Sequence, residues 1–261
     1  MIIAYHRPAT LNEALALLAR AEPTLPLGGG TVLNAPHALE YEVVDMQSLG
    51  FDRIESRGRY LDLGARVSLQ GLLESPEIQS IPLGRALAQA ARREATRNLR
   101  NMGTLAGTLV AADGRSPFAC AMLALDPQLT VLPENHTRDL GEILHMRQSP
   151  SANLHCLPHT LITNITLNTE TALAYEYAAR SPADRPIVCV AAARWASGRL
   201  RVVVGGWGSA PRLALDAPES GGVEIAVDSA AAEAGDEWAS AAYRRDAAVK
   251  LARRALVSLG L

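Results

Sequence analysis

The chain has a single lysine. Lys250 stands in a C-terminal run, so the remaining basic side chains of the 261 residues are arginines and a few histidines. Neither a P-loop lysine nor a centrally placed Schiff-base lysine is available, and any phosphate must be held by backbone, hydroxyls or arginine. Cysteine is nearly as scarce. Cys120, Cys156 and Cys189 are odd in number, widely spaced and form no CxxC pair. They fit reduced thiols in the cytoplasm better than a disulfide framework, and they cannot supply the four thiolates of an ordinary iron–sulfur cluster. The net charge of −2 lacks the footprint of a nucleic-acid binder. No apolar run approaches the ~18 residues of a membrane span, and MIIAYHRPAT has no signal-peptide core. A soluble, cytoplasmic protein without nucleic-acid or membrane partners is expected.

Catalytic constellations are missing too. His155, Cys156 and His159 in "HCLPH" resemble zinc ligands, but Pro158 interrupts them and no fourth ligand is near, so the stretch reads as a loop. No Ser-His-Asp set or carboxylate pair stands out. Neither a metal site nor a catalytic residue is assigned.

What the chain does have is glycine in unusual places. "PLGGGTVLNA" sets Gly28, Gly29 and Gly30 before Thr31. Without Cβ atoms such a loop lets an anion approach successive N–H groups, and the threonine hydroxyl can add a donor. Three glycines also suit a plain tight turn. The familiar fingerprints do not decide, because Leu33 stands where GxGxxG needs glycine and no GxxxxGK[ST] occurs.

A hydrophobic content of 48% over this length supports a substantial core in one large domain or two ordinary ones. Thr10 and Glu13 form a capping-box pattern ahead of Leu11, Leu15 and Leu18, which predicts a helix over 11–20 and then a strand into the glycines. Strands are expected at 40–46 and 60–65, and a helix at 83–95. Later, 161–167, 187–195 and 200–206 read as β-rich, and Val249, Ala252, Leu256 and Leu259 share one face of a terminal helix. Residues 216–237 carry seven acids and no base, and read as solvated surface. In "RNMGTLAGTL", Gly103, Thr104, Ala106 and Gly107 repeat the logic of the first loop. Two such loops could grip the two phosphates of a dinucleotide from opposite sides.

Taken in order, these motifs resemble the FAD-binding subunits and domains of molybdenum hydroxylases, the group of xanthine dehydrogenase and aerobic carbon monoxide dehydrogenase. "YHRPATLNEALALL" looks like the family's opening, "PLGGGTVLNA" its AGGT(D/N)L loop, "RNMGTLAGTL" its RNxGTIGGNL loop and "LALDPQLTV" its LALDAxV strand. Arg180 and Asp184, "IVCVAAA", "RVVVGGWGSAPRLA" and "AYRRDAAVKLARRAL" follow the order of its C-terminal part. The resemblance implies an α+β chain: a two-subdomain FAD-binding fold of the PCMH/vanillyl-alcohol-oxidase type over 1–157, divided near 52/53, then a small C-terminal domain over 158–261 with an antiparallel sheet and helices.

It also implies a site. By matched motif, FAD would contact Leu27, Gly28, Gly29, Gly30, Thr31, Val32 and Leu33 in the first loop. In the second it would contact Thr104, Leu105, Ala106, Gly107 and Thr108, with both loops at the pyrophosphate and Ile162 along the flavin. The chain departs from the pattern at Val32, Ala106, Thr108, Pro117 and Glu176, where the family has a polar residue, glycine, asparagine, aspartate and, in some members, lysine. Asp113 is placed to replace the carboxylate missing at 117. The implied role is electron transfer from an iron–sulfur subunit, beside a molybdopterin-binding subunit, through FAD to an acceptor. A flavin-free structural subunit and a standalone flavoprotein reductase are the alternatives.

Overall fold

Thr10 opens a helix as its pattern predicts. It is extended (φ −128°, ψ 156°), its hydroxyl accepts the Glu13 N–H at 3.2 Å, and the Glu13 carboxylate reaches back to the Ala9 N–H at 2.9 Å. The helix runs Leu11–Leu18 and buries Ala14, Leu17 and Leu18 against Val44 and Met46. In this computed structural model the described residues are 1–33, 40–146, 160–181 and 184–261. The "HCLPH" stretch, with Cys156, and the 157/158 division lie outside them. The chain forms two compact units: Met1–Leu72, Arg97–Ala111 and Gln128–Leu167 make the first, and Leu73–Thr96, Ala112–Pro127 and Asn168–Leu261 the second.

The first unit holds two sheets. One is parallel, ordered Ile2–His6, Tyr41–Asp45, Thr24–Leu27. Its central strand, YEVVD, is buried at four of its five positions, Asp45 among them, as the middle strand of a covered sheet is. The other has five strands, ordered Ile54–Arg57, Tyr60–Gly64, Leu161–Asn168, Gln128–Leu132, His136–Asp139, with antiparallel pairing at both outer hairpins. The expected strands at 40–46 and 60–65 are thus present, within a residue or two.

The second unit is built on a four-stranded antiparallel sheet ordered Arg212–Ala217, Leu200–Gly205, Val188–Arg194, Ala172–Ala178. Every residue of Pro117–Leu125 is buried, because this helix lies between the sheet and Gly84–Glu94. Val188, Val190, Val202 and Val204 join a core with Val223 and Val227 of Val223–Ala230 and with Ala248, Leu251 and Ala252 of Ala241–Ser258. Helices on both faces explain why "IVCVAAA" and "RVVV" run apolar without alternation. Among the described residues no helix is long and apolar enough to cross a membrane.

The acidic stretch needs a correction. Val223, Val227, Ala231 and Ala234 of this stretch point into the core. Its acids also have partners: Asp216 meets Arg199 at 2.7 Å, Glu224 meets Arg253 at 2.6 Å and Asp228 meets Arg245 at 2.5 Å. Counting bases inside the segment missed this, since the arginines come from neighbouring elements.

Arg244 is the unusual core residue. Its side chain is fully buried, donates to the carbonyls of Ile187 (3.1 Å), Ala234 and Gly206 (3.5 Å), and pairs with Asp236 at 2.8 Å. Replacing it leaves those acceptors buried without a donor. Arg244→Ala is expected to lower unfolding free energy by about 3–5 kcal/mol, read as a drop in the denaturation midpoint. A loss below about 1 kcal/mol would show that water or repacking satisfies the carbonyls equally well.

Candidate functional site

The strand Thr24–Leu27 is held in register by its pairing with the central strand, with Leu27 opposite Asp45. It delivers Gly28–Gly30 onto the segment Met102–Thr104. A Cβ on Gly28 would lie 2.6 Å from Thr104 Oγ1, and one on Gly29 would lie 1.8 Å from the Met102 carbonyl oxygen. No side chain fits at either position. Gly30 has φ +68°, a conformation that side-chain-bearing residues rarely adopt. The three glycines therefore serve two purposes, close backbone approach and a left-handed turn.

Beyond them Thr31 and Val32 are exposed, while Leu33 packs against the small core of Leu25, Tyr41 and Val43. The Leu33 carbonyl accepts the Tyr41 hydroxyl at 2.6 Å, which anchors the far end of the loop. Leu27 is half-buried beside the same core. Among the described residues, none accepts the backbone N–H groups of residues 28–32.

The second loop lies against the first, and the N–H groups of its residues 105–108 are already used. Leu105 N–H goes to Val67 O (2.8 Å), Ala106 to Ala65 O (3.1 Å) and Thr108 to Thr104 O (2.8 Å), while Gly107 N–H goes to Thr104 Oγ1 (3.2 Å). Thr104 is 4% exposed, and its hydroxyl is the atom Gly28 faces. The two loops are therefore unlike: the N–H groups of one meet no acceptor among the described residues, and those of residues 105–108 in the other are bonded beneath it.

This changes the meaning of two departures. Ala106 lies in the helix Leu105–Ala111, and the positive-φ residues other than glycine among those described are Asp126 and Asn135. Its methyl group strains nothing. Pro117 is the buried first residue of Pro117–Leu125, where its missing N–H is no loss. On either side, the carboxylate of Glu94 accepts the Ser116 hydroxyl at 2.7 Å and the Phe118 N–H at 3.1 Å, and it pairs with Arg185 at 3.0 Å. Burial pushes the Glu94 carboxyl upward, against the pull of Arg185. A second carboxylate at 117 would stand beside this one. Glu94 was overlooked, yet its spacing from Leu87, Ala90 and Ala91 sets it on the buried face of its helix.

The other expected residues lie on other segments. Ile162 is 5% exposed in Leu161–Asn168, opposite Val131. Asp113 belongs to the second unit, where it accepts the Arg115 N–H at 2.9 Å and lies 3.7 Å from Arg185. Glu176 faces Arg254 at 3.1 Å. Cys120 and Cys189 are buried free thiols.

A glycine loop whose N–H groups meet no acceptor among the described residues, backed by a close-packed segment, fits the pyrophosphate of a dinucleotide. Comparison with known proteins agrees. Residues 1–167 match the family described as the FAD binding domain in molybdopterin dehydrogenase. The chain belongs to that family of oxidoreductases, and its cofactor is FAD. It is 30% identical over 135 residues to the nicotine 6-hydroxylase medium subunit of Paenarthrobacter nicotinovorans, a match spanning 49% of this chain and 47% of that subunit. It is 27% identical over 253 residues to the uncharacterized protein YgfM of Escherichia coli K12, covering 94% of this chain and 92% of that one. In structure it superposes on a chain of reconstituted CO dehydrogenase from Oligotropha carboxidovorans with a TM-score of 0.76 at 22% identity, over 97% of this chain and 96% of that one. At that identity the likeness establishes the α+β fold.

Two outcomes follow. Gly30→Val puts a β-branched residue at φ +68°. It should cost about 1–3 kcal/mol of stability and weaken FAD binding by on the order of a hundredfold, measured by flavin retention and titration of folded protein. Full flavin occupancy in that variant would reduce the loop to a plain turn. Ala106→Gly should leave FAD affinity unchanged and cost up to about 1 kcal/mol of helix stability, and a tighter complex by calorimetry would contradict the helical assignment of its donor.

Proposed function

We propose that this chain is the electron-transfer flavin subunit of a molybdenum hydroxylase complex, taking electrons from iron–sulfur clusters on one partner, with a molybdopterin-binding subunit as the other, and delivering them to an external acceptor. The observation that carries this reading is the glycine loop seated on Met102–Thr104 with its N–H groups unclaimed among the described residues. Residues Gly28–Thr31 would hold the pyrophosphate, with Thr104 fixing the loop from below, Leu33 anchoring its far end and Ile162 contributing an apolar side chain. When bound, the isoalloxazine supplies the redox chemistry, and the chain supplies binding and electrostatics. Three cysteines cannot build an iron–sulfur cluster, which supports a partner as the electron source. The relative's name, medium subunit, also speaks for an assembly. We further assign residues 1–157 to FAD binding and 158–261 to a C-terminal domain, and place the protein in the cytoplasm.

A flavin-free structural subunit is the second reading, favoured by Pro117 in place of a cofactor-contacting aspartate. One experiment separates these. The isolated chain loaded with FAD should lose its visible flavin bands on adding a chemical reductant, and should keep them with purine or aldehyde substrates. In the reassembled complex, the complex's substrate should bleach the flavin. Turnover of such substrates by the isolated chain would establish a standalone enzyme instead, and failure to take up FAD would favour the structural role.

A further inference from the structure

Arginines in the second unit commonly hold carboxylates, as Arg199, Arg245, Arg253 and Arg254 do. Arg115 and Arg180 hold none among the described residues. Both guanidiniums lie instead against one indole, with Cζ atoms 4.5 Å (Arg115) and 5.2 Å (Arg180) from the ring centroid of Trp238. Trp238 is 41% exposed.

The arrangement is braced by the backbone. Arg180 Nη2 donates to the Trp238 carbonyl at 2.9 Å, and Asp236 accepts the Trp238 and Ala239 N–H groups at 2.8 and 3.2 Å. Asp113 accepts the Arg115 backbone N–H at 2.9 Å and lies 3.7 Å from Arg185, leaving the Arg115 side chain without that acid. Arg115 Nε is buried and has no acceptor among the described residues. A buried, charged donor without an acceptor is costly, and two guanidiniums at one ring repel each other, which the ring's negative face offsets only in part. An oxyanion would answer both conditions, since guanidinium groups bind carboxylate and phosphate oxygens through paired N–H donors.

We propose that Arg115, Arg180 and Trp238, all in the second unit, form an anion site for a small ligand carrying a carboxylate or phosphate group. The test is calorimetric titration of the full FAD-loaded chain with inorganic phosphate and, separately, succinate, each against potassium chloride at matched ionic strength. Saturable binding of either probe is expected, weakened about tenfold or more in Arg115→Gln and in Arg180→Gln, with flavin content unchanged. The probe that binds tighter identifies the oxyanion. Should either variant fail to fold, tryptophan fluorescence replaces it: the probe should alter the wild-type signal and leave a Trp238→Phe variant unaltered. The proposal is overturned by a response no greater than that to chloride, by unchanged affinity in the folded arginine variants, by an identical fluorescence response in Trp238→Phe, or by phosphate binding only before FAD is added, which would place it in the glycine loop.

Discussion

The contact of Gly28 and Gly29 with Met102–Thr104 is the constraint on which the site depends. A carbonyl oxygen 1.8 Å from where a Cβ would stand admits no side chain at Gly29. Two segments more than seventy residues apart thereby become one surface. The strand Thr24–Leu27 fixes one side and Val67 with Ala65 the other, because those two carbonyls take the N–H groups of Leu105 and Ala106. The floor's N–H groups at residues 105–108 are taken up within the described residues. Those of the loop above meet no acceptor among the described residues.

In the second unit a buried guanidinium does comparable work. Arg244 gathers the carbonyls of Ile187, Gly206 and Ala234 and the carboxylate of Asp236, so that a strand start, a turn and a loop converge on one side chain. Glu94 plays the complementary part with a negative charge. It holds Ser116, Phe118 and Arg185 at the start of the buried helix Pro117–Leu125. Charge is tolerated at both places because each charged group meets several partners, as burial demands.

Much of this was legible in the residues. Thr10 and Glu13 announced their helix by a three-residue spacing, and the β-rich runs at 187–195 and 200–206 announced strands, though not that helices cover both their faces. The two glycine-bearing loops were found by composition, and the family resemblance by their order. What stayed hidden was partnership at long range. Ala106 could not be known to be helical, nor its N–H spent, until Ala65 was beside it. The acids of 216–237 looked solvated because their arginines lie outside that window, although Val223, Val227 and Ala231 already carried a four-residue apolar spacing. Glu94 was legible in principle and passed over, since a carboxylate on an apolar helix face reads as an error until Ser116 and Arg185 explain it.

The central claim is that the first loop, and not the second, donates to the pyrophosphate. A crystal structure of the FAD-loaded chain tests this directly. The account predicts phosphate oxygens within hydrogen-bonding distance of N–H groups of residues 28–31, with the bonds from Leu105 and Ala106 to Val67 and Ala65 intact. A pyrophosphate bound at residues 105–108 with those bonds broken, or held away from both loops, would contradict it.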